Sequence, residues 1–137
     1  MYIRDLSIGD LVRIGECGTH KGEYAKIAAL TSGCNYIGLF NTCHFEECED
    51  DIDPISITGE ILERNGFVRD KRCSSRWIFD CASNSVYVTA PRGYAYVTIY
   101  RNTLHGFRRI IDTLQIGSVH ELQHALRLSG INKEFEL

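Results

Sequence analysis

The second half of the chain alternates between hydrophobic and polar residues, most clearly in three stretches. These are residues 76–81, 85–90 and 94–100. A period of two is typical of strands that bury one face, because successive side chains point to opposite sides of a sheet. The connections, residues 82–84 and 91–93, are short enough to join antiparallel neighbours. The pattern predicts an antiparallel meander, which a strand over 107–113 extends after a loop over 101–106.

Two helices are predicted on either side of this meander, each from its capping residues. Thr58 can cap a short helix over 59–65, since its hydroxyl can accept a hydrogen bond from an amide of the first turn. Ser118 and Glu121 form a capping-box pattern, in which each side chain accepts from the other residue's backbone amide. This pattern predicts a terminal helix over 119–129.

The first half of the chain reads as short strands separated by glycine-rich turns. The predicted strands cover residues 10–14, 24–30 and 35–40. Six glycines at positions 9 to 38 disfavour helix in this part. Short, strongly bent strands of this kind are typical of a small SH3-like β-barrel. The acidic run over 46–53, which Pro54 follows, is interpreted as a solvated connector.

The predicted fold class is therefore α+β, in two parts. An SH3-like β subdomain covers residues 1–53, and an α+β subdomain with the antiparallel meander and both helices covers 54–137. A chain of 137 residues is long enough to bury its own core. Its 44% hydrophobic and 24% charged residues are near globular averages, which excludes disordered, collagen-like and coiled-coil proteins.

Charge is divided unevenly between the two halves. Residues 1–58 carry 4 basic and 10 acidic side chains, whereas residues 59–137 carry 11 basic and 8 acidic ones. Opposite net charges on the two halves can favour self-association as a homo-oligomer. They can also favour a nucleic-acid contact through the basic half.

The start of the sequence predicts a cytoplasmic protein. It has no basic segment followed by an apolar run, and no stretch approaches the ~18 apolar residues of a membrane span. No membrane partner is therefore expected. Because thiols stay reduced in the cytosol, the six cysteines are interpreted as free thiols.

Two segments resemble a family of short uncharacterised proteins from gut-bacterial genomes, their prophages and mobile elements. Residues 54–67 resemble its proline-aliphatic-threonine helix start ending in Gly-Phe, and residues 119–130 resemble its terminal "VHQLQN…LTG" helix. The resemblance covers roughly the last 80 residues well and the first 50 loosely. It implies a β-meander before a terminal helix, and it brings no activity. Relatives have Gln and Asn where this chain has Glu121 and His124.

The terminal helix contains one enzyme-like motif, H-E-x-x-H, formed by His120, Glu121 and His124. In zinc-dependent hydrolases, two histidines one helical turn apart hold the metal and the glutamate polarises the bound water. The motif makes His120 and His124 candidate zinc ligands and Glu121 a candidate catalytic residue. A minimal zinc-dependent hydrolase is therefore one alternative function.

The helical arrangement weighs against this hypothesis. At 100° per residue, the apolar residues of the helix, with Leu122 and Leu126 among them, share one side, and His120 and His124 fall on the opposite side. Both histidines are expected to face solvent or a second layer of structure.

Zinc also needs a third protein ligand, and the sequence offers only distant ones. Glu134 and Glu136 would have to fold back sharply, and His44 lies in the other subdomain. Glu121 already has a structural role as the acceptor of the Ser118 amide. A solvated helix face is therefore the preferred interpretation, and no cofactor is predicted.

Two further groups of metal-ligating residues lie in the first half. The first group is Cys34, Cys43, His44 and Cys48, which lack the C-x2-C spacing of a zinc knuckle. The second is the acidic run over 46–53, which lacks the D-x-[DN]-x-[DN]-G pattern of a calcium loop. Neither spacing predicts a metal site. Cys43 and His44, as strand neighbours, would point to opposite faces and could not form a nucleophile–base pair.

The meander carries a stripe of tyrosines on one face of a strand. Tyr94, Tyr96, Thr98 and Tyr100 share one face, and Ala95, Val97 and Ile99 share the other. If the aliphatic face packs under the terminal helix, the tyrosines stand on the outer face. There they lie near Tyr87 and within reach of Arg92 or Arg101. Aromatic and arginine side chains together can anchor a protein partner or stack bases, although a covering by the first subdomain is the alternative.

These observations favour a non-enzymatic accessory or interaction protein of phage or mobile-element type. A protein partner is expected at the candidate residues, which are Tyr87, Tyr94, Tyr96, Tyr100, Arg92 and Arg101. The zinc-dependent hydrolase and a weak nucleic-acid-binding protein are the alternatives.

Overall fold

A computed structural model of the chain describes residues 6–17, 19–30, 36–90 and 94–137. The chain forms two compact units, Met1–Ile55 and Ser56–Leu137. Each unit contains one five-stranded antiparallel sheet, and the second unit also contains two α-helices. The described part of the chain is therefore built mainly of antiparallel β-structure.

The sheet of the first unit has the strand order β4-β3-β2-β1-β5. Its strands are β1 (Leu11–Ile14), β2 (Tyr24–Leu30), β3 (Tyr36–Phe40), β4 (His44–Cys48) and β5 (Ile52–Asp53). The first three strands match the predicted ones within one residue, and residue 35 lies outside the described residues. Strands β4 and β5 were not predicted.

The first sheet buries alternate residues of its strands. Val12 and Ile14 of β1 pack with Ile27 of β2 and with Ile37 and Leu39 of β3 in one hydrophobic core. This spacing follows from the two-residue period, because residues i and i+2 point to the same side. The pairing of β2 with β3 shifts register between Ile27 and Ala29, which bends the strand locally.

The interpretation of residues 46–53 as a solvated connector is wrong. This run contributes to β4, a single 3₁₀ turn at Glu49–Asp51 and strand β5. Glu47 is only 6% exposed, and its carboxylate accepts hydrogen bonds from the backbone amides of Thr19 (2.9 Å) and His20 (3.4 Å). A buried carboxylate needs such donors, and they hold the β1–β2 loop against β4.

The sheet of the second unit has the order β10-β9-β8-β7-β6, so the predicted antiparallel meander is confirmed. Its strands are β6 (Val68–Arg69), β7 (Arg76–Cys81), β8 (Asn84–Thr89), β9 (Ala95–Thr103) and β10 (Gly106–Ile116). The loop expected over 101–106 is reduced to a tight turn, because β9 continues to Thr103. The connection 91–93 lies outside the described residues.

Both helices begin at the predicted caps. Helix α1 covers Gly59–Arg64, and the Thr58 hydroxyl accepts from the amide of Ile61 at 3.2 Å. Helix α2 covers Val119–Leu128 and begins with the complete capping box of Ser118 and Glu121. Within the described ranges, no helix has the length and apolar character that a membrane span requires.

One face of the second sheet forms the core of its unit. It contributes Trp77 of β7, Val86 and Val88 of β8, and Ala95, Val97 and Ile99 of β9. Helix α1 packs on this face, since the Trp77 indole donates to the Glu63 carboxylate at 3.1 Å. Phe67, after α1, stacks on Phe79 with ring centres 5.1 Å apart. Burial of this face places the alternate residues of the same strands on the other side of the sheet.

Gly59 allows the close approach of α1 to Trp77. A Cβ atom at this position would lie 2.5 Å from Trp77 Cζ2. We expect Gly59→Ala to lower the free energy of unfolding by roughly 1–3 kcal/mol, because the indole must move in a packed core. Gly117→Ala is the matched control, since its Cβ would meet nothing closer than 3.6 Å. Urea denaturation measures both variants, and equal stability of the two would contradict the packing described.

Candidate functional site

The candidate site lies on the face of the second sheet opposite its hydrophobic core. In β9, Ala95, Val97 and Ile99 are fully buried, whereas the alternate residues Tyr96, Thr98 and Tyr100 are half-buried. The predicted alternation of this strand is therefore confirmed. The tyrosine side of the sheet is the face from which a site can be built.

Four residues on neighbouring strands form a continuous row across this face. The guanidinium of Arg76 lies 5.6 Å from the ring centre of Tyr87. The Tyr87 ring meets the Tyr100 ring edge to face, at 5.4 Å and 85°. The guanidinium of Arg109 lies 5.8 Å from the Tyr100 ring centre. These distances fit cation–π and edge-to-face contacts, and we call Arg76, Tyr87, Tyr100 and Arg109 the tyrosine–arginine row.

Each guanidinium of the row is also paired with a carboxylate. One carboxylate oxygen of Asp70, Oδ2, accepts hydrogen bonds from both Nε (2.7 Å) and Nη2 of Arg76. Arg109 Nη1 lies 3.2 Å from Asp112. The backbone amide of Arg72, together with Arg76, holds the pKa of Asp70 below its usual value, and Asp70 in turn raises the pKa of Arg76. Both arginines are therefore fixed in place over their rings with their charge balanced.

A depression of about 410 Å³ opens beside the row. It is lined by Arg76, Ser85, Tyr87, Thr89, Thr98, Tyr100 and Phe107. Phe107 is the most exposed of the aromatic residues here, at 71%. Aromatic rings, hydroxyl groups and a guanidinium thus converge on one concave surface, a combination typical of binding sites.

Not all of the predicted residues reach this depression. Tyr94 and Tyr96 form a separate edge-to-face pair, with ring centres 5.4 Å apart, and Tyr94 raises the pKa of the Tyr96 hydroxyl. Arg101 lies on the helix side of the sheet, where its Nη2 donates to the carbonyl of Ser129 at 3.1 Å, just after α2. It therefore does not join the tyrosines. Arg92 lies outside the described residues.

Several residues of the site were missed in the sequence, among them Arg76, Arg109 and Phe107. Arg76 stands at the first position of β7, and its parity places it on the tyrosine face. Arg109 and Phe107 belong to β10, which is irregular because its pairing with β9 shifts register on either side of Ile111. Strand alternation could have identified Arg76. The partners of Arg109 depend on register, which the sequence of β10 does not reveal.

Residues of the H-E-x-x-H motif form hydrogen bonds at the N-terminal end of α2. The carboxylate of Glu121 accepts from the amides of Gly117 and Ser118. Nδ1 of His120 lies 2.9 Å from the Ser118 hydroxyl, and the ring centres of His120 and His124 are 5.8 Å apart. The histidines were expected to face solvent or a second layer of structure, and His120 does not face solvent, because it is only 6% exposed.

The burial of His120 has a simple geometric cause. The buried residues of α2 are Val119, His120, Leu122, Gln123, Ala125 and Leu126, and they span more than half of its circumference. A helical wheel with one apolar side does not anticipate this. The residues after α2 are also buried at Ile131 and Phe135, so this part of the chain is covered on more than one side.

The other two groups of metal-ligating candidates lie in the first unit. In the described ranges, no group of three or more His, Cys, Asp or Glu residues is arranged to hold a metal ion. Cys43 and His44 are both exposed, and Cys34 lies outside the described residues.

No family model, curated protein or solved structure matches this chain. Function is therefore inferred from the chemistry of the tyrosine–arginine row and its depression. The described residues lining the depression include no histidine and no cysteine, so they lack the imidazole or thiolate of the common nucleophile–base pairs. What the surface offers is ring area, hydroxyl groups and fixed guanidinium groups.

The Asp70–Arg76 pair predicts a pH-dependent stability. Because the pKa of Asp70 is lowered in the folded state from its ordinary 3.8, ionised Asp70 stabilises the fold above that pH. The contribution is lost as the pH falls through the lowered value. We expect Asp70→Asn to have a lower free energy of unfolding than the parent near pH 6. This difference should disappear at about pH 2. Urea midpoints at both pH values measure it, and an unchanged difference would contradict the ion pair.

Proposed function

We propose that this chain is a non-enzymatic interaction protein that binds a partner protein through the tyrosine–arginine row of its second unit. We further propose that it acts in the cytoplasm and belongs to a phage or mobile element, as the resemblance of residues 54–67 and 119–130 implies. The observation that supports binding is the row itself, in which two tyrosines and two ion-paired arginines border a depression of about 410 Å³.

The composition of the row favours a protein partner. Tyrosine and arginine are enriched among the residues that contribute most to protein–protein affinity. A tyrosine contributes a large contact area at little entropic cost, because only two side-chain angles must be fixed. The arginine side chains of the row are also held in position without a partner, because Asp70 and Asp112 form ion pairs with their guanidinium groups. Preorganisation of this kind raises affinity.

Charge balance makes nucleic acid the less favoured partner. Polyphosphate binding depends on cations that are free to neutralise phosphates. Arg76 and Arg109 are each already paired with a carboxylate, and Asp80 adds a further one, which accepts from the Ser85 hydroxyl at 2.6 Å. A face with compensated charges fits a protein surface better than a phosphate backbone.

For the first unit we propose an SH3-like barrel. The strand order supports this proposal, because β5 returns to pair with β1 at the far end of a β1-to-β4 meander. A 3₁₀ turn immediately before β5 also fits. A shared fold does not by itself assign a binding function to this unit.

Photochemical crosslinking at the depression tests the proposal in the cells that naturally express the chain. The photoreactive residue p-benzoylphenylalanine replaces Thr89, which lines the depression, or Leu128, an exposed residue of α2, as the control position. We expect one discrete protein adduct from position 89 and none of that mass from position 128. Combining the probe with Tyr100→Ala should reduce the adduct about tenfold, as loss of an interface anchor does. Tyr36→Ala, an exposed tyrosine of the first unit, should leave it unchanged.

Three results would contradict the proposal. These are no adduct from position 89, the same adduct from both positions, and an adduct that Tyr100→Ala leaves intact. An adduct that nuclease removes would instead favour the nucleic-acid alternative.

A further inference from the structure

Two arginines face each other directly on the helix side of the second sheet. Arg101 of β9 and Arg108 of β10 are paired residues in the antiparallel ladder. Like charges in directly opposed positions destabilise a sheet, so such a pair requires an explanation.

The end of α2 explains only one of the two. Arg101 donates to the carbonyl of Ser129 at 3.1 Å and approaches Asn84 Oδ1 at 3.5 Å. The partial negative charge at the C-terminal end of a helix offsets part of the charge on Arg101. These two contacts occupy two of the five N–H donors of its guanidinium, so further donors remain for a ligand.

Among the residues that the structure describes, Arg108 has no comparable compensation. It is exposed, and it lines a depression of about 370 Å³ with Arg101, Thr103, Arg109 and Ile110. Among these described lining residues there is no carboxylate. The charge of Arg109 is already paired with Asp112 on the tyrosine side. Arg101 and Arg108 thus leave a local excess of positive charge at one concave surface.

We propose that Arg101 and Arg108 together bind an oxyanion, and that this oxyanion is a phosphate group. Guanidinium groups suit phosphate because their planar donors can form two parallel hydrogen bonds to its oxygens. An anion between the two side chains converts their mutual repulsion into attraction to a shared ligand. The depression extends beyond the arginines to Thr103 and Ile110, which leaves room for the organic part of a small phosphate monoester.

Arg109 borders both surfaces, but the two proposed phosphate ligands, Arg101 and Arg108, are not part of the tyrosine–arginine row. Arg101 and Arg108 point to the helix side of β9 and β10, whereas Tyr100 and Arg109 belong to the tyrosine–arginine row on the other side. A variant at Arg108 can therefore lose phosphate binding and keep the partner, and the two proposals can fail separately.

Calorimetric titration of the full chain with inorganic phosphate and with phenyl phosphate, at constant ionic strength, tests the site. We expect saturable binding of one equivalent. Arg108→Gln should weaken it at least about tenfold, since charge-assisted hydrogen bonds are lost. Without ligand, Arg108→Gln should unfold at the same or a higher temperature than the parent, because a like-charge repulsion has been removed.

Arg72→Gln is the matched control, because it removes the same charge from another exposed arginine of the second unit. Its affinity for phosphate should equal that of the parent. If phenyl phosphate binds more tightly than inorganic phosphate, the site is supported and its ligand is a phosphate ester. If both bind equally, the site is supported and its ligand is free phosphate. No saturable binding, or equal losses in Arg108→Gln and Arg72→Gln, would overturn the proposal, since only non-specific charge attraction would remain.

Discussion

The second unit depends on the burial of one face of its sheet. Val86, Val88, Val97 and Ile99 are removed from water together with Trp77 and the apolar side of the helices. Each fully buried aliphatic side chain of this size contributes about 1.5–3 kcal/mol, so this face is the main source of the unit's stability. Since strand side chains alternate, the same burial forces Tyr87 and Tyr100 to the opposite face. The position of the proposed binding surface is thus a geometric consequence of the core.

Ion pairs order the arginine side chains of the tyrosine–arginine row. Burial of the opposite face turns the tyrosines outward, and Arg76 and Arg109 then cover their rings while Asp70 and Asp112 fix the guanidinium groups. Exposed ion pairs contribute little stability on their own. Their effect here is to order the long side chains of the proposed binding surface. The two opposed arginines on the other side differ in this respect, because the described residues that line their depression include no carboxylate.

Features that depend on local chemistry could be predicted from the sequence, and features that depend on register or tertiary cover could not. The period of two in residues 94–100 and the capping box at Ser118 act within a few residues, and both are present in the structure. Arg109 meets Tyr100 because the tight turn between Thr103 and Gly106 sets the register of β10, whereas the sequence predicted a longer loop over 101–106. His120 is buried because the buried residues of α2 span more than half of its circumference. The acidic residues around Glu47 form a strand because their backbone pairs with β3, and loop amides satisfy the buried Glu47 carboxylate.

The most direct test of this account compares two neighbouring substitutions in β9. Val97→Asn places an amide in the core, whereas Tyr96→Asn changes the outer face. The free energy of unfolding, measured by urea denaturation, should fall by about 3 kcal/mol or more for Val97→Asn, and by about 1 kcal/mol or less for Tyr96→Asn. Equal losses, or a larger loss for Tyr96→Asn, would show that the tyrosine side is the core and would contradict a binding surface there.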